Sequence, residues 1–351
     1  MSKLVDYPTV HEAKFYEKMP NGVVQCSLCE RKCEIAEGSK GFCKTRINID
    51  GELFTIVYGD ISAIESRPIE IKPFFHYWPR STALTFSTWS CNLDCIWCQN
   101  FHLSKQQPNP TTTFYYSPEK MVETALYHRD VGLCASFQEP TLLSEWVLSL
   151  FKLAKDKEIK YCCYVSNGYM SLKVLKALHT AGLDGLKIDI KGSNETYKKY
   201  CGGGDVEKIW RNAREAKKLG LHVEIVNLVI TDVNDDEETL RWVIEKHLKE
   251  VGTDTPLHFT RYFPAYKFNK PPTKVKTLEK AYEMAKKEGV LYPYLGNVAG
   301  HKYENTYCPS CGEKLIQRYG PYLLRYKITA TNKCPKCSTH IPITGEYMGK
   351  R

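Results

Sequence analysis

At 351 residues with 42% hydrophobic side chains, the chain is long enough to bury a large core and to carry small appendages beside it. No run is apolar enough to span a bilayer, and residues 1–21 hold no signal-type apolar stretch, so a cytoplasmic protein without a disulfide framework is expected. The net charge of +9 leans to one end, where residues 301–351 hold nine Lys/Arg and three Asp/Glu. That keeps a nucleic-acid surface open, although metal-bound thiolates would offset part of the excess.

Residues 8–18 read as a short helix. Four cysteines follow as Cys26-x2-Cys29-x3-Cys33-x9-Cys43, with Gly38 and Gly41 suited to the tight turns of a loop wrapped around metal. So many thiols in so short a span indicate a closed site, holding zinc or an iron–sulfur cluster second to the one argued below. Asp50-Gly51 then separates 47–49 from 53–57, a strong hairpin signal. Residues 68–79 are aromatic and bounded by proline, and are expected to lie as an extended strap across the main domain, with His76 as a packing residue.

From about 82 to 296 strands and helices alternate. Apolar β-like runs lie near 82–88, 132–138, 160–166, 184–191, 222–228, 256–262 and 290–295, with helical patterns near 117–130, 142–157, 171–181, 206–219, 236–249 and 275–288. Ser117-Pro118 reads as N-cap and first helical residue, Ser171 as an N-cap, and Gly182, Gly220 and Gly289 as stops. This predicts an α/β fold: a parallel sheet with helices outside, whose six strand–helix units and seventh strand suit a partial (β/α)6-type barrel. In such a sheet chemistry gathers at the C-terminal strand ends. The longest loop, about 89–116, lies there and carries Cys91-x3-Cys95-x2-Cys98 with no fourth cysteine or histidine close by. Three thiolates would leave one iron of a four-iron cluster open, the mark of a metal site that does chemistry.

In the fourth strand Leu186, Ile188 and Ile190 share one face, and Lys187, Asp189 and Lys191 the other. Helices would cover the apolar face and leave three charges aimed inward, either used or held as a structural Lys–Asp pair. Cys134, Cys162, Cys163 and Cys201 read as small buried apolar residues. Near the end, Cys308-x2-Cys311-x22-Cys334-x2-Cys337 forms two knuckles with β-prone residues between them. That is a zinc ribbon or a rubredoxin-like iron site, because so small a module has too little core to fold without metal.

The Cys91, Cys95, Cys98 loop, with Trp97 just before its last cysteine, resembles the signature of the radical SAM superfamily. The resemblance implies a [4Fe–4S] cluster whose open iron chelates S-adenosylmethionine. One-electron reduction then yields a 5′-deoxyadenosyl radical that takes hydrogen from a substrate. It also implies the partial barrel and a set of cofactor contacts that includes Trp97. Glu139 matches the carboxylate of a Gly-Gly-Glu-type segment, with Phe137 and Gln138 in place of the glycines. Ser166 and Asn167 would meet the ribose or carboxylate, and Asp189 and Lys191 match an Asp-x-Lys of glycyl-radical-enzyme activating enzymes. Asn227 ends the fifth strand. His258 would face the cofactor as the start of a His-x2-Arg pattern, with Arg261 pointing the other way. Gly296 and Asn297 would lie near the adenine. Lys191 and His258 are the candidate catalytic residues.

The full motif order, from the N-terminal cysteines to the ribbon, resembles the radical SAM component of the AmmeMemoRadiSam system, related to pyruvate formate-lyase activating enzymes. It implies Memo-like and AMMECR-like partners, and the chemistry calls for an electron-donor protein. The expected organisation is 1–80 as a metal-binding extension and strap, 81–300 as the barrel and 301–351 as the ribbon. Two other functions stay open: glycyl-radical activation of a partner protein, and a nucleic-acid-binding metalloprotein or enzyme on RNA.

Overall fold

In a computed structural model of the chain, which describes residues 4–349, the strand–helix alternation becomes one eight-stranded sheet. Its strands are β1 (Ala63–Pro68), β2 (Thr82–Ser87), β3 (Gly132–Ala135), β4 (Tyr161–Ser166), β5 (Gly185–Ile190), β6 (His222–Val229), β7 (Leu257–Arg261) and β8 (Pro293–Gly296). They lie side by side in chain order; β2 to β8 are parallel and β1 pairs antiparallel with β2. Six helices make the crossovers: α1 (Pro118–Tyr127), α2 (Ser144–Lys155), α3 (Leu172–Ala181), α4 (Val206–Lys218), α5 (Glu237–Val251) and α6 (Val275–Glu288). The expected caps are in place, since Ser117 accepts from Lys120 N and Ser171 from Val174 N. Gly182 and Gly289 close α3 and α6 with positive φ.

The outer face holds the main core, where Leu186, Ile188 and Ile190 of β5 are fully buried. The inner face has a smaller apolar cluster of Ala83, Cys134, Tyr161 and Cys163, capped by Ile69, Phe74 and Tyr77 of the strap. The strap is therefore a plug at the N-terminal ends of the strands. It is not extended throughout, for Ile69–Ile71 forms a 3-10 turn. Glu224 of β6 anchors it by accepting from the backbone N–H of Phe75 and His76, both at 2.8 Å. His76 is the packing residue expected, bonded to Tyr294 Oη at 2.6 Å.

Two expectations for the N-terminal region meet different outcomes. Arg46–Ile49 and Glu52–Thr55 form the hairpin, with Asp50 and Gly51 at φ 53° and 75°. Residues 8–18 are not helical. His11–Glu12 pairs with the hairpin strand Glu52–Thr55, and Tyr16–Lys18 pairs with Val24–Cys26. A strand edge close by in space outweighs a weak local helix preference.

The C-terminal segment adds a three-stranded sheet of Thr306–Tyr307, Lys314–Tyr319 and Tyr322–Tyr326. Its core of Leu315, Ile316, Ile328 and Ile341 is continuous with Phe75, Tyr292 and Tyr294, so it seats on the plugged base of the large sheet. Arg318 fixes the seam: its buried guanidinium donates to Phe75 O at 2.8 Å and to Thr306 Oγ1 at 2.8 Å, and lies 4.2 Å from the Phe75 ring centroid.

Candidate active site

At the C-terminal ends of the strands is a cavity of about 460 Å³, lined by every strand or by the loop that follows it, so the sheet curls around it. The volume suits a drug-sized ligand.

The cysteine loop enters this cavity under tight backbone control. Ser90 takes a left-handed φ of 70° and donates its N–H to Leu103 O, which turns the chain out of β2. Asp94 N and Ile96 N donate to Cys201 O and Tyr200 O, behind the helical turn Asn194–Tyr200 that follows β5. Cys91, Cys95 and Cys98 all line the cavity. Leu93 N donates to Cys91 Sγ at 3.4 Å, and Cys98 Sγ lies 3.1 Å from Ser104 Oγ. Burial first and Glu139 second push the Cys91 thiol up; bound metal would remove that proton outright. Cys201, read as core filler, hydrogen-bonds Cys95 and brings that thiol down to about 7.

Glu139 assembles its predicted neighbours. Its Oε1 accepts from Ser166 Oγ at 2.8 Å and from Thr141 Oγ1 at 2.5 Å, and its Oε2 from Asn167 N at 2.8 Å. Burial still raises its pKa against those donors. Asn167 reaches on through Nδ2 to Asn92 Oδ1 at 2.7 Å, beside Cys91. Phe137, where a glycine was expected, keeps a left-handed backbone at φ 73°, and its carbonyl accepts from Asn100 Nδ2.

Lys187, Asp189 and Lys191 face the cavity as the strand alternation predicts. Asp189 Oδ2 is 2.8 Å from Lys187 Nζ, and Oδ1 is 3.8 Å from Lys191 Nζ. Burial would raise Asp189, but the two ammonium groups outweigh it and hold the carboxyl below its usual range. Trp97 is buried in the lining, edge-on to Phe268 and tilted on Tyr200. Asn297 is also in the lining.

Three predicted residues lie elsewhere. His258 points inward but deep, paired with Glu224 at 2.6 Å and stacked on Tyr294, among the groups that hold the plug. Asn227 has the opposite parity to Val226 and Leu228, which line the cavity; its Nδ2 donates to Ile190 O. Gly296 answers to a neighbouring strand, for a Cβ there would meet Thr260 Oγ1 at 2.7 Å. Conversely, Arg261 does reach the lining, with Nε donating to Thr273 O.

Sequence reasoning missed Lys72, Gln138 and Thr260, all lining the cavity and mostly buried. Lys72 Nζ sits 4.1 Å over the Phe137 ring. Both polar atoms of Gln138 and Thr260 Oγ1 are buried without partners. Such orphans are costly unless a ligand satisfies them. With three thiols, a carboxylate and these groups in one cavity, the residues fit a cluster plus a polar, zwitterionic cofactor.

Two further cysteine groups flank the site. Cys308, Cys311, Cys334 and Cys337 bring their sulfurs within 4.8 Å of one another, close enough to hold a metal ion. Cys26, Cys29, Cys33 and Cys43 surround a separate small cavity. Among the described residues no helix is long and apolar enough to cross a membrane.

Residues 87–243 match the model of the Radical SAM superfamily. The chain is 38% identical to the uncharacterized protein MJ0808 of Methanocaldococcus jannaschii, over 95% of this chain and 99% of that one. It is 26% identical to a probable GTP 3′,8-cyclase of Archaeoglobus fulgidus, over 56% of this chain and 64% of the cyclase. A solved radical SAM methyltransferase from Sphaerobacter thermophilus superposes with a TM-score of 0.49 at 10% identity, covering 82% of this chain and 76% of that one.

Proposed function

Because this chain belongs to the Radical SAM superfamily, we propose that the cavity binds a [4Fe–4S] cluster and S-adenosylmethionine and delivers a hydrogen-abstracting radical to a second molecule. What supports this reading above all is that Cys91, Cys95 and Cys98 share one cavity with the braced carboxylate of Glu139 and the orphaned groups of Gln138 and Thr260. The bound groups supply the one-electron cleavage of the sulfonium. The chain's residues place them. Cys91, Cys95 and Cys98 would hold the cluster through three thiolates, which leaves one iron for the cofactor. Glu139 Oε2, with a single hydrogen bond, has a lone pair for the cofactor ammonium. Gln138 and Thr260 offer donors and acceptors to the carboxylate or ribose. Trp97, Leu93, Val226 and Leu228 keep water from the apolar part of the site. Lys191, held charged by Asp189 against the pull of burial, stands as the candidate proton donor or positioning cation.

Within the superfamily, the motif order favours the AmmeMemoRadiSam type, an oxidoreductase akin to activating enzymes, with an electron-donor protein and Memo-like and AMMECR-like partners in the cytoplasm. The C-terminal four cysteines suit zinc. The test is anaerobic: reconstitute with iron and sulfide, reduce, add S-adenosylmethionine and assay 5′-deoxyadenosine. Wild type should form it and the Cys91→Ala, Cys95→Ala, Cys98→Ala variant should not. Equal formation by both proteins would sink the assignment.

A further inference from the structure

The two four-cysteine groups differ in shape. The C-terminal sulfurs converge, with Cys308 Sγ and Cys337 Sγ 3.5 Å apart and Cys311 Sγ and Cys334 Sγ 3.7 Å apart. A single tetrahedral ion with bonds of about 2.3 Å wants that convergence. The N-terminal sulfurs of Cys26, Cys29, Cys33 and Cys43 instead stand around a cavity, and among the described residues only the C-terminal four meet the 4.8 Å limit. A cage of irons and sulfides holds its thiolates farther apart than one ion does.

The cavity is also lined with donors that lack acceptors. Asn92 is fully buried with no partner for Nδ2, and Arg46 is buried with none for Nε or Nη1. Glu145 and Leu142 O satisfy only Arg46 Nη2. An orphaned amide and guanidinium facing four thiols call for an anionic group whose sulfurs accept hydrogen bonds.

Asn92 ties this place to the active site. It follows Cys91 in the chain, its Oδ1 accepts from Asn167 Nδ2, and its carbonyl accepts from Arg31 of the N-terminal loop. That loop is bolted to the segment after β4 by Glu30 N to Tyr169 O and Ser171 N to Leu28 O. Cys33, half-buried, brings the far side of the group toward solvent.

We propose that Cys26, Cys29, Cys33 and Cys43 bind a second iron–sulfur cluster, and that it relays single electrons from a low-potential ferredoxin or flavodoxin to the cluster on Cys91, Cys95 and Cys98. Each transfer oxidises the donor by one electron and reduces the second cluster, which returns to its starting state as the active-site cluster is reduced. Zinc cannot take this role, having no redox chemistry. Only the relay rests on the function proposed above; the presence of the cluster does not.

The cluster is tested in the full-length Cys91→Ala, Cys95→Ala, Cys98→Ala variant, reconstituted anaerobically. It should keep about four irons and four sulfides per chain, with an EPR signal on reduction. Adding Cys33→Ser, at the half-buried ligand, should abolish that EPR signal while circular dichroism stays unchanged. Zinc without acid-labile sulfide at these cysteines, or no metal, overturns the proposal, whatever the outcome for S-adenosylmethionine cleavage. The relay is read in Cys33→Ser with the other three cysteines intact. Reduction of the active-site cluster by ferredoxin should slow about tenfold or more, whereas dithionite, small enough to enter the open cavity, keeps its wild-type rate. Equal ferredoxin rates would overturn the relay alone.

Discussion

Asp189 stands between two ammonium groups inside the sheet, and removing its charge leaves both without a counterion. Asp189→Asn should cost about 2 kcal/mol of stability in urea unfolding, less than a fully buried pair because the side chain is 27% exposed. Its depressed pKa stabilises the fold above the carboxyl's unfolded value, and that share fades as pH falls through the folded one. His247 has a wider window. Burial lowers its pKa from 6.5 to about 3, so the stability tied to its neutral ring is complete above 6.5 and fades below it. Between pH 7 and 5 wild type should lose about 2 kcal/mol relative to His247→Gln, measured as the gap between their unfolding free energies. Asp60, Glu70 and Asp184, raised by burial, push the opposite way in both proteins and cancel in that comparison. At this scale, facing was legible but depth was not. The period of two put Lys187, Asp189 and Lys191 inward, and the family resemblance put His258 inward as well. How far down β7 His258 sits depends on its register with Val226 and on Glu224, which no single stretch of sequence records.

Among the elements, the strap is the one whose job exceeds its appearance. Its Tyr77 ring lies over Gly185 of β5, where an added Cβ would meet ring carbon Cζ at 2.6 Å. Gly185→Ala should therefore lift the strap and cost about 1–3 kcal/mol in denaturant unfolding, with changed emission from Trp78 beside it. The reverse change, Tyr77→Ala, should cost more, about 3–5 kcal/mol, because it empties a buried site. The seven parallel strands and six helices were readable from periodicity, caps and glycine stops. Edge strand β1 was not: its half-exposed, charged run of Ala63–Pro68 has no apolar alternation, yet it brings Glu65 and Arg67 to the cavity. Lys72 was hidden for a related reason, since its place follows from where the strap crosses.

Across the whole molecule, both flanking regions serve the sheet from opposite ends. The N-terminal cysteine loop packs beside the loop of Cys91, Cys95 and Cys98, while the C-terminal sheet braces the base through Arg318 and through Trp78 N to Thr344 O and Thr344 N to His76 O, each at 2.8 Å. Stripping metal from Cys308, Cys311, Cys334 and Cys337 should unfold the C-terminal sheet and deprotect those two amides in hydrogen exchange. Protection that outlasts the metal would show that the seam holds without it. Composition had set this segment apart as a separate piece; its shared core with Tyr292 and Tyr294 could not be read from spacing alone.

Phe74, Phe75 and Tyr77 plug the sheet at the N-terminal ends of its strands, so the cavity is a well entered from the C-terminal side. Traffic through such a well is last in, first out. If the cofactor and substrate proposed above share it, the one that lies deeper arrives first and leaves last.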